Sequence, residues 1–145
     1  MKLILGAGMT EREAGAWHVD IANLPGIDLV YDLNIMPWPF HDNEYDDIQA
    51  HDIIEHIEHV VKFLEECHRI GKAGCVVDIR TSAWDTEQSY TDPTHRHWFT
   101  LQSFDFFVPN TFFSNKYPWY STKRFEKLLA QRSGAELVFR LRIVK

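Results

Sequence analysis

Apolar positions along this chain fall into short runs, broken once by a longer stretch of helical period. Leu3-Ile4-Leu5 is too short for a helix and suits a strand buried on both faces. It runs straight into Gly6 and Gly8, which let the backbone turn tightly and approach a ligand. Thr10 to Ala14 predicts a short helix before Gly15, with Thr10 as N-cap and Glu13 closing a capping box. Trp17 to Ile21 reads as a second strand, Asn23 to Gly26 as a turn, and Ile27 to Leu33 as a third strand. Pro37, Pro39 and Asp42-Asn43 mark a loop, and Tyr45 to Ala50 carries a short fourth strand. From Ile57 to Ile70 the apolar residues Ile57, Val60, Val61, Leu64, Cys67 and Ile70 recur at helical spacing, with charges on the other side. Gly71 and Gly74 stop that helix, and Cys75 to Ile79 is a fifth strand. This order predicts an α/β fold with a mostly parallel sheet.

The character changes from Trp84 onward. Ten of the 20 aromatic residues lie between Trp98 and Tyr120. Thr100 is placed to cap a short helix through Phe107, ended by Pro109-Asn110. The last part, Lys123 to Val144, has a Ser133-Gly134 turn between two apolar-rich arms. The second arm alternates as a strand does, whereas Phe125, Leu128 and Leu129 in the first also fit a helix. An antiparallel hairpin closing the sheet is the favoured reading. The expected organisation is one domain over 1–145: residues 1–83 holding a ligand, 84–122 an aromatic-rich acceptor or lid region, and 123–145 the hairpin.

Composition narrows this picture. At 145 residues and 45% apolar, the chain can bury a proper core. No apolar run approaches the roughly 18 residues of a membrane helix, and the apolar start breaks at Gly6, too early for a signal peptide. Cys67 and Cys75 lack metal or redox spacing and read as core residues in a reducing, cytoplasmic setting. The net charge of −6 is uneven. Residues 1–115 hold 7 basic against 19 acidic residues, and 116–145 hold 8 against 2. An acidic body argues against broad nucleic-acid binding, and the basic tail reads as a solvated strand edge.

Candidate chemistry follows from the strand ends. A ligand in an open α/β sheet sits outside the carboxyl ends of the strands. Gly6–Gly8, Asp20, Asp32 and His51 all fall there, on four successive strands. An acid after the second strand can accept two ribose hydroxyls, and one after the third can accept an adenine amine. The runs L-G-A-G, W-H-V-D, D-L-V-Y-D-L, P-W-P-F-H-D-N-E-Y-D-D-I, A-H-D-I-I-E-H-I and H-R-I-G-K-A-G together resemble a class I S-adenosylmethionine-dependent methyltransferase of the small, predicted type. The likeness covers about residues 2–80, and D-P-T-H-R-H-W-F-T at 92–100 extends it.

The resemblance implies a Rossmann-like sheet and S-adenosyl-L-methionine as cofactor. It implies Gly6, Ala7 and Gly8 against the methionine end and ribose, Asp20 on the ribose hydroxyls and Ile21 on the adenine. Asp32 and Leu33 would meet the adenine edge, and His51 the transferred methyl. This chain departs from the pattern: Ile4 and Leu5 replace the acid before the glycine turn, Met9 stands where a third glycine would, and no N-terminal extension covers the site. A sulfonium methyl is already activated, so catalysis is mostly positioning, with a base for a hydroxyl or protonated amine. His51, His95 and His97 are the candidates for that base.

Two rival readings remain. One is a module that holds the cofactor or a partner without turnover. The other is a metal-dependent hydrolase using Asp92, His95 and His97, or the group His51, Asp52, Glu55, His56 and His59; neither matches H-E-x-x-H or a standard zinc spacing, so no metal is expected. The expected partner is a small-molecule or exposed-group acceptor with no membrane, and a homodimer is compatible with so small a chain.

Overall fold

The protein is described by a computed structural model covering residues 1–145. Its strands are β1 Lys2–Leu5, β2 Ala16–Asp20, β3 Leu29–Val30, β4 Tyr45–His51, β5 Gly71–Ser82, β6 Arg124–Ser133 and β7 Glu136–Val144. They form one sheet in the order β3-β2-β1-β4-β5-β7-β6. The first five pair in parallel, and β7 and β6 add antiparallel at the far edge. Three helices complete the fold: α1 Val60–Ile70, α2 Gln88–Thr91 and α3 Phe112–Lys116.

The strand register explains where the core sits. Leu3, Ile48, Val77 and Leu141 lie side by side across four strands, and Leu5, Ala50, Ile79 and Phe139 form the next row. All eight are fully buried, in one cluster with Phe63, Leu64 and Cys67 of α1. The opposite face is unlike an ordinary parallel sheet, which is covered on both sides. There the register lines up Lys2, Asp47, Val76 and Arg142, then Ile4, Gln49, Asp78 and Arg140. All but Ile4 are half-buried or exposed, and their charges pair across strands, as in Arg140 with Asp78 at 2.8 Å and Arg142 with Glu126 at 2.9 Å.

Some elements differ from the sequence expectation for physical reasons. The helix expected at Thr10–Ala14 does not form, because only ten residues join β1 to β2 and a parallel crossover with a helix needs a dozen or more. The Thr10 hydroxyl instead donates to Ala7 O at 2.6 Å. Arg12 stitches two loops together, donating to Gly8 O at 2.8 Å and Pro25 O at 3.0 Å. The third strand shrinks to two residues at the sheet edge, and a single 3-10 turn at Asp105–Phe107 replaces the helix expected over Thr100–Phe107. Helix α1 starts at Val60 because the chain first makes a separate 3-10 turn at Ile54–His56. The first hairpin arm is a strand. Its register shifts between Lys127 and Leu129, and that extra residue produces the helix-like spacing of Phe125, Leu128 and Leu129.

His68 fastens α1 to the end of the hairpin. Its Nε2–H donates to Val144 O at 2.8 Å, and its ring packs edge-on against Phe125. Burial depresses its pKa below the usual 6.5, against the opposing pull of the Val144 carbonyl. The unfolded chain therefore takes up this proton first. Stability contributed by the neutral ring is present above the ordinary value, starts to fall as pH drops below it, and is lost once pH passes the folded value. In urea titrations at pH 7.5 and 5.5, the parent protein is expected to lose more stability on acidification than His68→Gln. Equal losses would show that this ring does not carry the acid sensitivity.

Candidate functional site

The sheet order reverses at β1, which has β2 on one side and β4 on the other. A cavity of about 700 Å³ opens there, at the carboxyl ends of the strands, where α/β sheets place ligands. Gly6, Asp20, Ile21, Asp32 and Leu33 form one wall, as the sequence implies, joined by Tyr31 and Asn34. Ile53, His56, Ile57 and the segment Pro93–Arg96 form the other.

The first wall is held by backbone. Gly8 N–H donates to Asp20 Oδ2 at 2.8 Å, and Ala22 N–H donates to Oδ1 at 2.9 Å. Each oxygen thus has one amide fixing it and a lone pair left for a ligand hydroxyl. Asn34 N–H fixes Asp32 Oδ1 in the same way at 2.9 Å. Ile21 is 69% exposed, an apolar side chain beside the cavity that a flat ring could cover. Ala7 lies beneath the turn rather than on the wall: it is buried, and its N–H continues the sheet by donating to Val19 O at 3.0 Å. Gly6 has φ +65°, and a Cβ there would stand 2.7 Å from Ile53 Cβ. Asp52 at φ 53° turns the chain so that Ile53 reaches over this glycine.

On the second wall the hydrogen bonds fix two tautomers. The Thr94 hydroxyl donates its proton to Asp92 Oδ1 at 2.7 Å. The contact of 2.9 Å between Thr94 Oγ1 and His56 Nδ1 must then be an N–H donated by the ring. His95 Nδ1–H donates to Ser89 O at 2.8 Å, since a carbonyl can only accept. Both neutral rings therefore carry their proton on Nδ1 and leave Nε2 bare. Burial and the neighbouring His95 push the His56 pKa down, favouring that neutral state. Below them Glu55 is 3% exposed, and burial raises its pKa. Its Oε2 has no hydrogen-bonding partner; Thr81 lies near, but its hydroxyl makes no bond of good geometry either.

No protein-family model matches the sequence, and no curated protein matches it. Solved structures do. A SAM-dependent methyltransferase from Methanosarcina mazei superposes with a TM-score of 0.68 at 12% identity, over 99% of this chain and 92% of that one. The 1,6-didemethyltoxoflavin-N1-methyltransferase of Burkholderia thailandensis, solved with S-adenosylhomocysteine, gives 0.63 at 14% identity, over 99% and 71%. The [4+2]-cyclase SpnF gives 0.66 at 11% identity, over 99% and 74%. The chain has the class I SAM-dependent methyltransferase fold. At such identities the likeness speaks for the fold, and SpnF is named for a different reaction on it.

Within this methyltransferase fold two of the expected histidines stand away from the cavity. His51 ends β4 on the polar face of the sheet, because Ala50 takes the core side and strand side chains alternate. Its Nε2–H donates to Asp78 at 2.7 Å, and it lines a different pocket with Lys2, Asp47 and Arg140. That bond is the main reason the Asp78 pKa is low, against the effect of burial and with help from Arg140. His97 donates to Glu58 O at 3.1 Å and faces a groove beside Tyr120. Only His95 of the three reaches the cavity. The aromatic stretch also differs from an acceptor wall. Phe99, Phe104 and Phe107 are buried core, Phe104 meeting Phe139 edge-on, while Phe106, Phe113, Tyr117 and Tyr120 stack near the surface. The cavity takes only Pro93–Arg96 from this region. On the second wall, His56, Thr94 and Arg96 are the polar residues that sequence reasoning left off the cavity. Their only signal is position in the H-D-I-I-E-H and D-P-T-H-R segments.

Proposed function

We propose that the chain binds S-adenosylmethionine in the 700 Å³ cavity and transfers its methyl group to an oxygen or nitrogen acceptor, small or exposed. The observation that carries this reading is the pairing of Asp20 with the glycine turn at a topological switch point, with Asp32 on the same wall. Ribose hydroxyls would donate to Asp20, the adenine would lie on Ile21 and Leu33, and its amine would reach Asp32. The methionine end would then point past Gly6 toward His56, His95 and Arg96. That opposite wall is where an acceptor would enter, losing a proton as the methyl leaves the sulfonium for it.

A module that holds the cofactor without turnover is the second reading. The loop that replaces a helix after the glycine turn favours it, since a helix N-terminus would attract the cofactor carboxylate. No helix is long and apolar enough to cross a membrane, and both cysteines are free and buried. Calorimetric titration with S-adenosylmethionine and S-adenosylhomocysteine comes first, followed by transfer of labelled methyl into small-molecule, glycan and protein fractions. Saturable binding with transfer supports methyl transfer; binding without transfer supports the second reading. Absence of binding overturns both. His95→Ala is expected to leave cofactor affinity within about 0.5 kcal/mol of the parent, because its wall faces the acceptor and holds neither the ribose nor the adenine. It is expected to slow transfer by roughly 100-fold, the scale of proton-handling groups.

A further inference from the structure

The facing nitrogens of His56 and His95 have a consequence that methyl transfer does not require. Each ring keeps its proton on Nδ1 and donates that N–H, to the Thr94 hydroxyl and to the Ser89 carbonyl, so the neutral ring turns a lone pair outward from Nε2. Both Nε2 atoms stand 3.9 Å from the same oxygen, Asp92 Oδ2. A carboxylate oxygen of Glu55 and one nitrogen from each ring also lie within 4.8 Å of one another. Three donors thus converge, and the Asp92 carboxylate stands beside both rings. No lysine or arginine pairs with Glu55 or Asp92. Glu55 is almost wholly buried and its Oε2 lacks any partner. A buried carboxyl left without a partner is costly, and it either keeps a proton or is met by a cation.

We propose that Glu55, His56 and His95, closed on the far side by Asp92, bind a divalent transition-metal ion. Two neutral imidazoles with one or two carboxylates suit zinc and its first-row neighbours better than magnesium or calcium, which take oxygen ligands. The two carboxylates balance the charge of such an ion. Metal–ligand distances of about 2.0–2.2 Å would draw the donor atoms together by roughly 1 Å, within reach of small side-chain rotations. The second shell already has the form metal sites use. Each imidazole donates its other N–H, one to a carbonyl and one to a hydroxyl that is itself tied to Asp92. All four residues line a smaller cavity of about 330 Å³, and His56 and His95 also line the 700 Å³ one, so a coordination position can face ligand space. The site comes from both histidine clusters of the sequence, one at the start of the 3-10 turn and one in the 92–96 loop. Neither has metal spacing alone; the fold makes one site of the two.

The test uses the full chain without a histidine tag, stripped with chelator and titrated with Zn²⁺ by calorimetry, with Co²⁺ absorption as a second readout. One ion per chain at micromolar affinity or tighter is expected, with ligand-field bands of Co²⁺ in a nitrogen and oxygen environment. His56→Ala and His95→Ala should each weaken Zn²⁺ by at least 100-fold. Thr94→Val, which removes only the partner of His56 Nδ1, should weaken it by about 10-fold, the lower end of second-shell effects. His41→Ala, at an exposed position outside the cluster, should leave binding unchanged. Glu55→Gln keeps the side-chain volume, so a folded variant with weakened Zn²⁺ is expected; a circular dichroism spectrum confirms the fold. No saturable binding, or binding that survives both histidine substitutions, would overturn the proposal. None of these readouts depends on what the larger cavity holds.

Discussion

Replacing Gly6 with valine is expected to unfold the chain before it can empty the cavity. The residue has φ +65°, a region that costs other residues about 1–3 kcal/mol. A Cβ there would also sit 2.7 Å from Ile53 Cβ and 2.8 Å from its Cγ1, and both of those atoms belong to a branched side chain with little freedom to retreat. Overpacking of this sort adds roughly 1–3 kcal/mol. The sum is a large part of the 5–15 kcal/mol by which ordinary domains are stable. Urea denaturation followed by circular dichroism should show a much lower midpoint for Gly6→Val. Gly8→Ala is the contrast: it shares a positive φ of 53°, but nothing lies within 4 Å of its new Cβ. It should remain folded with a loss of only about 1 kcal/mol. Adding Ile53→Ala to Gly6→Val should restore part of the loss, because the two changes share one contact. A parent-like midpoint for Gly6→Val would mean that Ile53 does not press on the turn.

Asp20→Ala is expected to weaken S-adenosylmethionine and S-adenosylhomocysteine by about 1.5–3 kcal/mol, the scale of hydrogen bonds to a charged group. That corresponds to roughly 10- to 150-fold in Kd. The substitution would remove the acceptor proposed for ribose, and it releases the Gly8 and Ala22 amides that shape the wall. Asp32→Ala should cost less, because it holds one amide and adenine stacking remains. Calorimetry on both variants, with their thermal unfolding measured alongside, separates lost binding from lost structure. Parent-like affinity in both would place the cofactor elsewhere in the molecule.

The cavity's first wall was legible in the sequence because it depends on local order along the chain. A glycine turn after Leu3–Leu5 and acids at the ends of the next two strands are positions a reader can count, and the fold keeps them in phase. The second wall was not legible, because it depends on how far two distant segments swing toward each other. His56 meets His95 across 39 positions through Thr94 and Asp92, and nothing in either segment announces its partner. His51 went astray for a simpler cause. A residue at a strand end can be counted, but whether it faces the core or the polar side turns on parity, and Ala50 takes the core side. The hairpin arm was ambiguous because its bulge at Lys127–Leu129 breaks the two-residue period on which strand reading relies.

The position of β1 bears on how the molecule comes to exist. β1 is central in the sheet, between β2 and β4, and its ladder with β4 joins Lys2 to Asp47 and Leu5 to Ala50. The hairpin at the other edge joins neighbours such as Ser133 and Glu136. Contacts between distant residues are slower to close than local ones. The β6–β7 hairpin can therefore zip on its own, whereas β1 waits for β4, and the docking of the hairpin on β5, which joins Val76 to Arg142, spans a longer separation still. Gly6 and Gly8 are turned only when β1 has seated between its neighbours. A ligand held in the cavity would bind only the chain in which β1 is seated, and would favour the folded state by that differential binding.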